Sequence, residues 1–205
     1  MKIELSFDDG AKKDLKVLEL LLKYGLADKA TFYIPTNCEM SDDEILQIAK
    51  HSKVGGHTKS HPSDMKLLTD EQLKDEIESN RRYLVDLTGQ VVESFCYPRG
   101  RYDERVKQAV KDAGFTEART TKVLEHTLLF RGDRFEKGTS VHMYPRQEYL
   151  GMDWFDTASE KITAASECLY SQCFHGYFHL WGHSWEMTDE DWKKFEEVLK
   201  ILSKY

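Results

Sequence analysis

Cysteine is scarce in this 205-residue chain: Cys38, Cys96, Cys168 and Cys173 are all there is, and no two form a Cys-x-x-C pair. So few, so spaced, they exclude a zinc ribbon and a disulfide-built scaffold, and they predict free thiols in a reducing compartment. Long apolar runs are missing as well. Nowhere do about eighteen apolar residues follow one another, so no membrane-spanning helix is expected. Met1 leads straight into Lys-Ile-Glu-Leu-Ser-Phe-Asp-Asp-Gly, with no basic start, apolar stretch or small-residue cleavage site, which gives a cytoplasmic expectation for the chain as it stands. A basic surplus is absent too. Lys and Arg number 29 against 36 Asp and Glu, the net charge is −7, and no basic stripe gathers, so neither nucleic acid nor a membrane surface is an expected partner. With no repeat, linker or low-complexity segment, residues 1–205 are expected to form one domain, and 40% hydrophobic residues suffice for a full core.

What is present alternates strand and helix. Lys2 to Phe7 alternates and delivers Asp8-Asp9-Gly10 to a strand tip. Leu15, Leu18, Leu22 and Leu26 carry helical spacing, and Ala30 to Ile34 reads as the next strand. Asp42 to Lys50 is a short helix behind Ser41, and Thr69 with Gln72 makes a capping-box start for a long helix that stops at Gly89. Val91 to Tyr97 is a strand, Arg105 to Ala113 a helix, and Phe115 to Thr120 is extended. Short strands are expected near His126 to Phe130 and Thr139 to His142, then a helix from Phe155 to Leu169, a strand from Phe174 to Trp181, and an amphipathic helix from Thr188 to Leu202. Such alternation predicts an α/β architecture with a mainly parallel sheet, barrel or open, whose chemistry gathers at the C-terminal strand ends.

The polar clusters fall at those ends. Gly55-Gly56-His57-Thr58-Lys59-Ser60-His61-Pro62 holds two histidines four residues apart. In one tight helical turn their side chains would lie about 6 Å apart, against roughly 13 Å in a strand, and Pro62 ends such a turn at His61. The glycines permit a close backbone approach or a positive φ. Asp9 with His57 and His61 would offer two nitrogens and one oxygen to a metal and leave positions open, the catalytic pattern, while Asp8 is left for acid–base work.

Four stretches then carry a resemblance. Ser6-Phe7-Asp8-Asp9-Gly10, His57-Thr58-Lys59-Ser60-His61-Pro62, Phe95-Cys96-Tyr97-Pro98-Arg99-Gly100 and Leu180-Trp181-Gly182-His183 are similar, in order and spacing, to the first, second, third and fifth motifs of the polysaccharide deacetylase family, carbohydrate esterase family four. The resemblance implies a distorted, incomplete (β/α) barrel and metal-dependent hydrolysis of an N-acetyl group on an amino sugar or oligosaccharide. It implies Asp9, His57 and His61 as ligands of one divalent metal, zinc or else iron, cobalt or nickel. It makes Asp8 the base toward metal-bound water and His183 the acid, with the Arg99 backbone N–H at the oxyanion and Thr58 and Ser60 orienting the histidines. Tyr97, Pro98, Arg99, Trp181 and Trp154 are the expected substrate-contacting residues.

The chain also departs from that pattern. The third motif usually starts with an arginine that orients the catalytic carboxylate, and Cys96 stands there; Arg119, at the next strand tip, is the expected substitute. The family's fourth motif is not evident, and Trp181 replaces a pocket leucine. Two alternatives follow: a metal amidase of the same fold acting on a small non-sugar amide or imide, and an inactive carbohydrate-binding homologue. His142, His175 and His179 are expected to be hydrogen-bonded structural histidines, and Cys96 an inert thiol.

Overall fold

The computed structural model describes residues 1–125, 132–167 and 176–205. Seven strands, β1 (Lys2–Asp8), β2 (Ala30–Ile34), β3 (Lys53–Gly56), β4 (Ser94–Cys96), β5 (Glu117–Arg119), β6 (Val141–His142) and β7 (Tyr177–Gly182), form one sheet in the order β5-β4-β3-β2-β1-β7-β6. Every pairing is parallel. Between them run α1 (Asp14–Lys23), α2 (Asp42–Ala49), α3 (Asp70–Thr88), α4 (Glu104–Asp112) and α5 (Trp154–Glu167), and α6 (Asp189–Leu202) closes the chain.

The sheet curls. Arg119 on β5 touches Asp8 on β1, four places away in the strand order, although strands about 4.8 Å apart would separate them by roughly 19 Å if the sheet were flat. The segment after β5 helps to close the gap. Lys137 bridges to Arg119, and Ser140 donates its N–H to the carbonyl of His179 on β7. The result is the incomplete (β/α) barrel that the resemblance implied.

Period-two alternation along β1 sets what each face holds. Ile3, Leu5 and Phe7 point toward the helices. Phe7 packs on Phe32 at 5.2 Å and edge-on to Phe195 of α6 at 5.7 Å, and burying each such ring contributes about 1.5–3 kcal/mol. Glu4, Ser6 and Asp8 point into the lumen, where Ser6 Oγ meets His179 Nε2 at 2.8 Å and the Tyr177 hydroxyl donates to Glu4 at 2.5 Å. The lumen face of β1 is thus polar along its length, and its C-terminal end carries Asp8.

Local signals place most helix ends. Capping boxes open α2 (Ser41 with Glu44), α3 (Thr69 with Gln72) and α6 (Thr188 with Asp191), and Gly89 in the left-handed region, φ 67°, ends α3. Some boundaries shift. The core face of α1 is Val17, Leu18 and Leu21; Leu22 is 45% exposed and Leu26 lies beyond the helix, because tertiary packing chose one of several leucine phases. The expected strand from Val91 shortens to β4, with Val91 itself exposed, and Thr139 to His142 reduces to β6. The stretch from His126 to Phe130, the last turn expected for α5, the first residues of the strand expected from Phe174, and Cys168, Cys173 and His175 lie outside the described residues.

Candidate metal and proton-transfer site

Two loops bring the ligand trio together. Asp9 follows β1 in the left-handed region, φ 78°, and His57 follows β3. The path from His57 to His61 is not the helical turn expected from the spacing. Thr58 and His61 both have positive φ, 67° and 53°, and Pro62 disfavours the right-handed helical region for His61. Glycine serves the close approach: a Cβ on Gly55 would stand 2.5 Å from the Tyr33 ring, and one on Gly56 2.5 Å from the Phe115 ring.

Side chains from α3 brace this strained loop. Buried Asn80 accepts the His57 N–H at 2.9 Å and donates to the Ile34 carbonyl and Thr36 hydroxyl. Glu76 accepts the N–H groups of Lys59 and Ser60 and the Ser60 hydroxyl. Thr58 Oγ1 accepts the His61 N–H at 3.1 Å. Thr58 and Ser60 therefore hold the loop backbone. The His57 ring is fixed instead by the Cys96 carbonyl, 2.8 Å from Nδ1.

That contact leaves Nε2 of His57 as the open nitrogen. It lies 3.4 Å from Asp9 Oδ1, and His61 Nε2 lies 3.4 Å from the same oxygen. Two ligands of a tetrahedral ion at about 2.0–2.2 Å stand roughly 3.4 Å apart, so the donors are spaced for one. Asp9 Oδ1 is buried without a hydrogen-bond partner, as an oxygen awaiting a cation would be. Burial pushes the Asp9 carboxyl up, but His57, His183 and the Trp185 indole N–H, 3.0 Å from Oδ2, outweigh it and hold the group ionised. Asp8, His57 and Cys96 are also close enough to share an ion. Arg119 already occupies Asp8, and burial drives the Cys96 thiol well above its usual pKa, so that set is the poorer one.

Beside the trio sits Asp8, fully buried. Nη2 of Arg119 reaches both of its oxygens, Cys96 Sγ lies 3.5 Å from Oδ2, and Arg119 is anchored by the Thr120 carbonyl at 3.1 Å. Burial alone would raise the Asp8 pKa; the Arg119 charge, with His57 and His183, brings it below the ordinary value. His183 completes the rim. Its Nε2 is 4.0 Å from Asp8 Oδ2 and 3.8 Å from Asp9 Oδ2, and its Nδ1 is 2.6 Å from Glu186 Oε2. Burial depresses the His183 pKa, yet Glu186 and Asp8 more than offset it and raise it.

The sequence-predicted substrate residues divide. Arg99, exposed and left-handed at φ 56°, stays at the rim with Pro98 buried beneath. Trp154 does not join the site: it is 1% exposed, on α5, with its indole N–H on Asp191 of α6. Tyr97 is buried, stacked on Tyr102 at 4.4 Å and bonded to the Phe135 carbonyl. Trp181 is a buried wall, parallel to His142 at 3.9 Å and under the Arg119 guanidinium at 4.5 Å. These three side chains pack; none presents a face to a sugar. Half-exposed Trp185 is the aromatic ring at the trio.

Sequence reasoning missed Glu186, Asn80 and Glu76; Trp185, with Trp154, Trp181 and Tyr102, was among the rings it offered for stacking on a sugar. Glu186 carried a signal, three residues after His183, and Asn80 another, a polar residue on the apolar face of α3 with Leu73, Ile77 and Leu84. His179 is hydrogen-bonded as expected, to Ser6 and Tyr177. His142 is not. Both its ring nitrogens are buried without a hydrogen-bond partner.

The sequence profile of the family described as Polysaccharide deacetylase matches residues 1–118, more than half of the chain. The chain belongs to the polysaccharide deacetylase family. Solved structures agree on the fold. A family 4 carbohydrate esterase from Bacillus anthracis has TM-score 0.64 and 21% identity, covering 98% of this chain and 75% of that one. A family 4 carbohydrate esterase from Streptomyces lividans in complex with acetate has TM-score 0.63 and 16% identity over 98% of this chain and 88% of that one. A CE4 family pseudoenzyme, also from Bacillus anthracis, gives TM-score 0.60 and 18% identity over 98% of this chain, which spans 60% of the pseudoenzyme's length. No curated protein sequence matches the chain. Among the described residues of this deacetylase-family chain, no helix is long and apolar enough to cross a membrane.

Proposed function

We infer that this chain is a metal-dependent hydrolase that removes an N-acetyl group from an amino sugar or oligosaccharide. One observation carries the reading: Asp8 lies between a guanidinium and an imidazole, beside a separate two-histidine, one-carboxylate trio. Asp9, His57 and His61 would hold the divalent cation, zinc or a similar metal, which when bound supplies Lewis acidity toward the amide carbonyl and acidifies water.

The chain's own residues divide the proton work. Asp8, kept ionised by Arg119, takes the proton from the attacking water. His183, its Nε2 4.0 Å from Asp8 Oδ2, gives a proton through that nitrogen to the departing amine, since an amine leaves poorly unless protonated. Glu186 accepts from Nδ1 and thereby fixes which nitrogen of His183 faces the reaction. Arg119 acts on Asp8 in the place of the arginine missing at Cys96. The main-chain N–H of Arg99 contributes to the oxyanion site, a role indifferent to its side chain. Trp185 is the ring against which a sugar would stack.

A second reading has its own support. With Trp154, Trp181 and Tyr97 buried, little aromatic surface is left for a polymer, which favours a small amide or imide. The test is acetate release from N-acetylglucosamine oligomers and ring opening of small cyclic amides by the metal-loaded protein. Turnover of the oligomers is expected; turnover of cyclic amides alone rejects the sugar, and turnover of neither with metal bound identifies an inactive homologue.

A further inference from the structure

Behind His183 is a second group of ligating side chains that the proposed reaction does not use in full. His142, His183 and Glu186 bring two imidazoles and one carboxylate within reach of one ion, the same donor set as Asp9, His57 and His61. His142 Nε2 lies 3.5 Å from Glu186 Oε2, already near the spacing of about 3.4 Å between ligands of a tetrahedral zinc. The His183 to Glu186 contact, at 2.6 Å, would open by roughly 0.8 Å as the cation replaces the proton the pair shares.

The state of His142 is the strongest indication. Its Nδ1 is buried without a hydrogen-bond partner and its Nε2 has only the long contact with Glu186, whereas buried polar groups are ordinarily satisfied. His142 is 4% exposed, and stacking on Trp181 with an interplanar angle of 18° holds the plane of its ring. Arg146, 5.5 Å from the Trp181 ring, opposes added positive charge, and the Glu186 carboxylate offsets it. Glu186 and His183 are half-buried, which opens a path to solvent.

We propose that His142, Glu186 and His183 form a second, inhibitory site for a zinc-class divalent cation. This rests on the reading of His183 as the acid. With a cation on Nδ1 the imidazole can no longer take up a second proton, and Nε2–H would have to be lost as imidazolate, a far weaker acid than imidazolium. The outer ion therefore blocks departure of the amine while the inner trio stays loaded.

The experiment is zinc titration of the one-equivalent protein, with bound metal counted by elemental analysis after gel filtration and amide hydrolysis followed in parallel. Wild type is expected to take a second equivalent and to lose at least tenfold in turnover as it does so. His142→Phe, which keeps the stack on Trp181, is expected to hold one equivalent and stay active at the same zinc level. A wild type that saturates at one ion, or a His142→Phe protein that binds two or is equally inhibited, overturns the proposal. If His142→Phe does not fold, Glu186→Gln is counted for metal instead, with the same expectation of one ion. Wild type inactive at one equivalent would refute the deacetylase reading, and the metal count would still decide the second site.

Discussion

The two halves of the site are built in different ways. The Asp9, His57 and His61 trio stands on two loops that contain left-handed residues; α3 and the loop itself hold its backbone, while the Cys96 carbonyl and Trp185 hold its side chains. The Asp8 half stands on strand ends, with Asp8 closing β1 and Arg119 closing β5. It is held by charge, with Arg119 from β5 and His183 and Glu186 after β7 converging across the barrel. Hydrogen-bonded loops fix a ligand geometry before the metal arrives, whereas opposed buried charges fix protonation states, and each half suits its task.

If the halves are separable, substitutions should split metal content from turnover. Asp8→Asn should lower amide turnover by about 10²–10⁴-fold with metal content unchanged, and Asp9→Asn should lose the metal itself. Elemental analysis beside the rate checks both, and metal loss from Asp8→Asn would merge the halves. Arg119→Ala leaves a buried carboxylate unpaired and should cost about 3–5 kcal/mol in urea unfolding, with a large rate loss in any folded protein that still binds metal. An unchanged rate would mean that Asp8 is oriented by something else.

Asp14 tests the charge-built half from behind. It is fully buried at the start of α1, and burial, with the Asp8 and Asp9 charges adding, outweighs Ser184 and His183 and lifts its pKa from 3.8 to about 7. Folded protein then keeps a proton that the unfolded chain releases. Stability from this group is full below about pH 4 and is lost as pH rises toward 7. Asp14→Asn should therefore match wild type at pH 4 and exceed it at pH 8 by about 4 kcal/mol in metal-free unfolding. A constant difference across that range would show that Asp14 is not held protonated. The smallest effect is expected at Glu186. Glu186→Gln should slow amide hydrolysis about 10–100-fold while leaving an aryl acetate, whose leaving group needs no proton, nearly unaffected; equal losses on both would make Glu186 merely structural.

Much of the trio was legible because its spacing is local. Asp8-Asp9-Gly10 at a strand tip and His57-x-x-x-His61 before a proline are short-range patterns, as are the capping boxes at Ser41, Thr69 and Thr188. The loop's shape was not legible, since Thr58 and His61 take positive φ under the combined hold of Asn80, Glu76 and Pro62. Trp154 and Tyr97 misled for a related reason: an aromatic residue's type gives its size, and only its neighbours decide whether it packs or faces solvent.

By itself the sequence determined the alternation of strands and helices, the parallel sheet, and which residue types reach the strand ends, because period, capping and turn chemistry act over a few residues. Only the tertiary structure decided that β5 curls back to β1, putting Arg119 on Asp8, and that His142, Glu186 and His183 share one corner. Those contacts join residues as far apart as Asp8 and Arg119, and they depend on how the whole sheet closes, which no local pattern encodes.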